Sequence, residues 1–248
     1  MKVCFLGVGE ACDADHPNTA ILVTTDIGQA LLDCGFTAPH AYFALCKDAN
    51  ELAALWRSHF HGDHFFGVPL LLLRFWEMGR KKPLVILGPP GIEDRIAAAL
   101  SLAYPSMRNH LDYTISFVEM APGIPVNAAG MQWRTAANDH SIPCLSLRLD
   151  GKDKSLFYSG DGRPTPATLG LAKNSNLIIH EAFRVSGDTP GHGTISGCLD
   201  FAVKAEAGAL ALVHIQREER QRRQEIDTLT GKAGMLVFIP RAGDVHTL

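Results

Sequence analysis

The 248-residue chain is 46% apolar and 20% charged, with a formal net charge of −3 from 23 basic and 26 acidic residues. That composition excludes disordered, collagenous and coiled-coil classes, and its slight acidity argues against a general nucleic-acid binder held by a basic field. No apolar run approaches the roughly eighteen residues of a membrane span, and residues 1–9 read as a strand rather than a signal peptide. The six cysteines, at 4, 12, 34, 46, 144 and 198, form no CxxC pair and no even framework. They are expected to be reduced thiols of a cytoplasmic protein.

Apolar runs and turn residues predict strands at 2–7, 20–25 and 30–33, then a run over 52–58 that feeds a histidine-rich loop. A helix is expected over 64–79, closed by glycine, followed by a strand at 84–87 and a helix over 92–103. The second half repeats the mode. Strands are expected at 114–118, 131–136, 143–149 and 155–159, the last two joined at Asp150-Gly151 in a hairpin. A strand at 177–180, a helix over 194–207, a strand at 209–214, a charged helix over 217–230 and a strand at 235–239 complete the chain. With no linker, repeat or low-complexity segment, this order describes one α/β domain spanning 1–248.

The segment Ser58-His59-Phe60-His61-Gly62-Asp63-His64 carries three imidazoles and a carboxylate within six residues, between an apolar strand and a helix. His59 and His61 are two apart, so in an extended segment they point the same way and can share one metal ion. Asp63 and His64 follow Gly62, where the chain can turn and aim them at a second ion. Neutral imidazole and carboxylate suit zinc, with manganese or iron as alternatives. The competing reading is a surface loop rich in histidine by chance; Gly62 and the strand–loop–helix setting argue against it.

This HxHxDH segment resembles the signature of the metallo-β-lactamase superfamily. The resemblance implies a four-layer αββα sandwich with a dinuclear metal site at the sheet edge, and it extends over essentially the whole chain. It also implies further ligands at strand ends: His140 in Asn138-Asp139-His140-Ser141, Asp161 in Tyr158-Ser159-Gly160-Asp161, and His214 in Leu212-Val213-His214. By that resemblance His59, His61 and His140 hold one ion, Asp63, His64 and His214 the other, and Asp161 bridges two divalent ions.

Within the superfamily, His180-Glu181-Ala182-Phe183 followed by Gly191-His192-Gly193-Thr194 resembles the ribonuclease Z group. There a carboxylate orients a histidine that protonates the leaving oxygen. Carried over, Glu181 is the orienting carboxylate and His192 the general acid. A purely structural reading has Glu181 brace His180 and His192 cap a helix. Leu32-Asp33-Cys34-Gly35 and Gly88-Pro89-Pro90-Gly91 resemble turns of the same group, whereas Gly7-Val8-Gly9 lacks the third glycine of a dinucleotide fingerprint.

Three departures count against tRNA 3′-processing. Only twenty residues separate His140 from Asp161, where the group inserts a tRNA-gripping arm. In place of a basic N-terminal loop stands Asp13-Ala14-Asp15-His16-Pro17-Asn18-Thr19, an acidic stretch expected to repel phosphates, and HEAF lacks the usual threonine. Arg80-Lys81-Lys82 is expected to be solvated at a helix end, and Arg217, Arg220, Arg222 and Arg223 to form a salt-bridged surface face among glutamates. The expected function is metal-assisted hydrolysis of a small phosphodiester by a metal-bridging hydroxide, with Asp63 free to orient the nucleophile and His192 protonating the leaving oxygen. A carboxyl-ester, lactone or sulfate-ester hydrolase is the alternative, ahead of an endoribonuclease or a non-enzymatic metal-binding subunit. The expected partner is a small ester, without long nucleic acid or membrane. The ribonuclease Z resemblance implies a homodimer.

Overall fold

The computed structural model describes residues 1–107 and 110–248. Its first half runs β1 (Lys2–Gly7), β2 (Ala20–Thr24), β3 (Gln29–Leu32), α1 (Ala38–Leu45), β4 (Leu52–Trp56), α2 (Gly62–Phe65), α3 (Val68–Glu77), β5 (Leu84–Gly88), α4 (Ile92–Ala103) and β6 (Ile115–Glu119). The second runs β7 (Val126–Ala128), β8 (Met131–Ala137), β9 (Leu145–Asp150), β10 (Ser155–Tyr158), α5 (Pro166–Ala172), β11 (Leu177–Glu181), α6 (Ile195–Lys204), β12 (Ala209–Val213), α7 (Arg223–Thr230), β13 (Leu236–Phe238) and β14 (Val245–Thr247).

Among the described residues these strands form two seven-stranded sheets, ordered β14-β1-β2-β3-β4-β5-β6 and β13-β12-β11-β10-β9-β8-β7. Both follow one plan. Antiparallel pairs lead into parallel strands, β3 to β6 in the first sheet and β10 to β13 in the second. The inner parallel strands β4, β5 and β12 read as unbroken apolar runs because both faces are covered. On β1, Val3 and Phe5 enter the core between the sheets, while Cys4 and Leu6 face the helix layer, as the two-residue period of a strand requires.

The inter-sheet core is tied across its middle by Trp56 of β4 and Trp133 of β8, whose rings stack 6.4 Å apart. Helices α1, α3 and α4 cover the first sheet through Tyr42, Leu71, Phe75 and Ile96. Helices α6 and α7 cover the second through Leu199, Phe201 and Ile226. Burying an aliphatic or phenyl side chain of this kind contributes about 1.5–3 kcal/mol. Among the described residues no helix is long and apolar enough to cross a membrane.

Two expected helices are interrupted. The run over 64–79 divides into α2 and α3 at Phe66-Gly67, because Pro69 cannot occupy a helix interior but fits the first turn of a new helix. The charged run over 217–230 becomes a 3-10 turn at Glu219–Gln221 followed by α7. Arg80 also departs from its solvated reading. It is fully buried, giving hydrogen bonds to the carbonyls of Ala49, Leu52 (2.7 Å), Lys82 (2.9 Å) and Pro83 (2.6 Å), with Phe75 and Tyr113 rings 5.0 and 5.5 Å from its guanidinium carbon.

Candidate metal centre

The parallel strands of both sheets deliver their C-terminal ends to one edge, the place where open α/β sheets present their binding groups. Asp33 follows β3, the 58–64 loop follows β4, Asp161 follows β10, Glu181 ends β11 and His214 follows β12. His140 enters from the loop after β8, and His192 stands just before α6.

The seven residues expected as ligands come together in two groups that share Asp161. Their donor atoms lie within 4.8 Å of one another in each: His59, His61, His140 and Asp161 in the first, Asp63, His64, Asp161 and His214 in the second. In the first, His61 Nδ1 lies 3.1 Å from His59 Nε2 and 3.1 Å from His140 Nε2. In the second, Asp63 Oδ2 is 3.2 Å from His214 Nε2 and 3.3 Å from His64 Nε2. Asp161 reaches His64 Nε2 at 3.2 Å and His214 Nε2 at 3.4 Å.

Three of the nitrogens opposite these contacts are already committed, while His214 Nδ1 is buried without a hydrogen-bond partner. His140 Nδ1 donates to the Gly191 carbonyl at 2.7 Å, His59 Nδ1 to Ser58 Oγ at 2.9 Å, and His64 Nδ1 to Asp33 Oδ2 at 2.8 Å. With those protons placed, His59 Nε2 and His140 Nε2 turn bare lone pairs toward His61 Nδ1. At most one proton, on His61 Nδ1, can sit among these three nitrogens, so at least one lone pair stays unanswered at 3.1 Å unless a cation lies there. His64 Nε2 and Asp161 Oδ1 are buried and make no hydrogen bond. Converging imidazoles and carboxylates of this kind fit divalent ions.

Asp33 is a site residue whose role the sequence did not disclose. Fully buried, it accepts from Ser58 N–H (2.8 Å), Ser58 Oγ (2.7 Å), His64 Nδ1 (2.8 Å) and the Tyr158 hydroxyl (2.7 Å). Burial alone pushes its carboxyl up, but the charge and hydrogen bond of His64, joined by Arg57, bring it down to about 2. The Asp-Cys-Gly turn was its only signal. At Gly35 a β-carbon would strike the Asp63 carbonyl, so glycine lets the turn after β3 pass directly beneath the ligand loop.

Glu181, also fully buried, accepts from the N–H groups of Gly162 (2.9 Å), Gly193 (2.7 Å) and Phe183 (2.9 Å), and from His192 Nδ1 at 3.2 Å. It therefore joins the loop of Asp161 to the loop of His192. The His192 ring stacks on Phe183 at 4.7 Å and lies 5.0 Å from the His140 ring and 6.1 Å from that of His214. Burial disfavours a charged His192, yet the hydrogen bond and charge of Glu181 outweigh it and lift its pKa above the ordinary histidine value.

The arginines after β12 are not one solvated face. Arg222 pairs with Glu219 and Glu225 at the surface, as expected. Arg217, exposed and paired with Glu218 as expected, also reaches the buried Glu10 at 2.5 Å, and Arg220 donates to the carbonyls of Val8 (2.7 Å) and Ile215 (3.1 Å). Both tie the N-terminal loop to the turn carrying His214, which has a positive φ of 54°. Asp13, read as a phosphate-repelling charge, is buried at its carboxylate, accepts from Asp15 and His16 N–H groups, and lies 3.7 Å from Arg220.

The family model described as "Anti-Pycsar protein Apyc1" matches residues 1–238. A ribonuclease BN of Enterobacter sp. (strain 638) is 26% identical over 275 aligned positions, covering 87% of this chain and 89% of that protein. Among solved structures, the metallo-β-lactamase fold protein YhfI of Bacillus subtilis superposes with a TM-score of 0.82 at 22% identity, covering 99% of this chain and 98% of its own. The short form of human tRNase Z gives 0.78 at 22%, covering 100% and 99%. A diphosphatase of the PhnP family gives 0.75 at 14%, covering 100% and 97%. The fold is that of the metallo-β-lactamases.

Proposed function

The chain belongs to the Apyc1 family of anti-Pycsar proteins and is a metal-dependent hydrolase, and from that premise we propose that it cleaves a small phosphodiester, such as a cyclic nucleotide or a sugar cyclic phosphate. The observation that carries this reading is the Glu181–His192 pair, 3.2 Å apart, standing against the ligand cluster with the outer nitrogen of His192 uncommitted. In this reading His59, His61 and His140 would hold one ion and Asp63, His64 and His214 a second, with Asp161, common to both groups, available to either. The donor set favours zinc.

Two divalent ions held there supply Lewis acidity and lower the pKa of a water toward neutral. His192 gives its proton to the departing alkoxide, and Glu181 holds the ring so that Nε2 faces the substrate. Asp63 uses Oδ2 toward His64 and His214, leaving Oδ1 to orient the attacking water. The span between His140 and Asp161 is filled by β9, β10 and the short turn joining them, which supports a small substrate over a gripped tRNA. All six cysteines are unpaired, which supports a reducing compartment such as the cytoplasm.

The test is a turnover screen of zinc- or manganese-loaded protein against cyclic nucleotides, bis(p-nitrophenyl) phosphate, p-nitrophenyl phosphate, a p-nitrophenyl acyl ester, a homoserine lactone and a precursor tRNA. Diester turnover with little action on the others is the expected result. Dominant lactone, acyl-ester or tRNA cleavage overturns the proposal.

A further inference from the structure

Arg57 closes the apolar strand β4 and immediately precedes the ligand loop, where an apolar side chain would pack at far lower cost. It is nevertheless completely buried. Its Nη1 donates to the main-chain carbonyl of His64 and lies 3.9 Å from Asp33 Oδ1, while its Nε and Nη2 find no hydrogen-bond partner. The neighbouring strand makes room for it: a β-carbon at Gly88 would come within 2.9 Å of the Arg57 β-carbon. A buried guanidinium with idle donors is a poor device for filling a core, so its use must lie in what its charge faces.

It faces Asp33, whose acceptor capacity is spent on four donors. Two of those bonds reach the metal centre. Asp33 takes the Nδ1 proton of His64 directly, and it fixes the Ser58 hydroxyl that in turn takes the Nδ1 proton of His59. One carboxylate thus sets the tautomer of a ligand in each group, leaving both Nε2 atoms bare. An acceptor-only carboxylate closed off from water needs a cation beside it, and Arg57 is that cation.

We propose that Arg57 is a positioning residue of the metal centre: by balancing Asp33 and gripping the His64 carbonyl, it keeps His59 and His64 turned with Nε2 toward the ions. The proposal rests on the metal-centre reading above. It acts before any substrate binds, so it is read as metal affinity rather than turnover.

The experiment measures zinc affinity by competition with a chromophoric chelator for wild type, Arg57→Gln and Arg57→Lys, each checked for folding by circular dichroism. Gln keeps an N–H donor without charge, and Lys keeps the charge. Arg57→Gln is expected to weaken zinc binding about 10–100-fold, the usual cost of losing an outer partner of a ligand, with Arg57→Lys within about threefold of wild type. In an Asp33→Asn background, Arg57→Gln is expected to cost no more than about twofold further. Unchanged affinity in Arg57→Gln, equal losses in both single variants, or an undiminished loss in the Asp33→Asn background each overturns the proposal. A folded wild type that binds no zinc removes the metal-centre reading itself, a result distinct from those three.

Discussion

The two ligand groups differ in how they are enclosed. In the first, His61 and His140 are partly exposed; in the second, Asp63, His64, Asp161 and His214 are all buried. The open group is held from behind by neutral partners, the Gly191 carbonyl and the Ser58 hydroxyl. The closed group is held by charge: Asp33 and Arg57 under His64, and Arg220 across the turn that carries His214. An open face can admit substrate and exchange water. In a closed face, where the dielectric is low, a charge needs an opposite charge or a ring of hydrogen bonds beside it.

Asp161 is common to both groups, so Asp161→Ala is expected to have the largest effect. It should abolish turnover and reduce the metal retained after gel filtration in both groups, measured by elemental analysis. Loss of only one ion with the other retained at full affinity would show that the groups are independent. A step down, His192→Ala removes a ring that stands between His140 of the open group and His214 of the closed one. Cyclic-nucleotide turnover should fall about 10²–10⁴-fold, while bis(p-nitrophenyl) phosphate, whose leaving group needs little protonation, should fall less than about tenfold. Metal retention should stay at the wild-type value; equal losses on both substrates would remove His192 as the acid. Smallest is Gly35→Ala, which presses on the closed side through the Asp63 carbonyl. Overpacking there should cost about 1–3 kcal/mol, read as a lower melting temperature, at about 2–4 °C for each kcal/mol in a domain near 200 residues. An unchanged melting temperature would mean that the loop yields freely.

Where the sequence was legible, the chemistry was local. Three imidazoles and a carboxylate within six residues declare themselves because neighbouring residues on one loop must share a site. The helices and strands that failed to declare themselves were short. Among them, α1 and α5 begin with proline in the first turn and bury few residues, and β7 and β14 are three residues each. Such segments carry too few residues for a period to emerge.

The sequence by itself determined the α/β alternation and the cluster of imidazoles and carboxylate at 59–64, written in residues adjacent in the chain; the Glu181–His192 pairing was expected from a resemblance, and the two side chains do meet at 3.2 Å. The sequence misjudged the cations. Arg80 and Arg220 stand in charged runs that read as solvated, yet each answers carbonyls inside the fold. Their partners lie as far as 212 positions away in the chain, and Asp33 meets Tyr158 across 125. A buried charge is tolerated only where the complete fold brings it a partner. That pairing was decided by the tertiary structure alone.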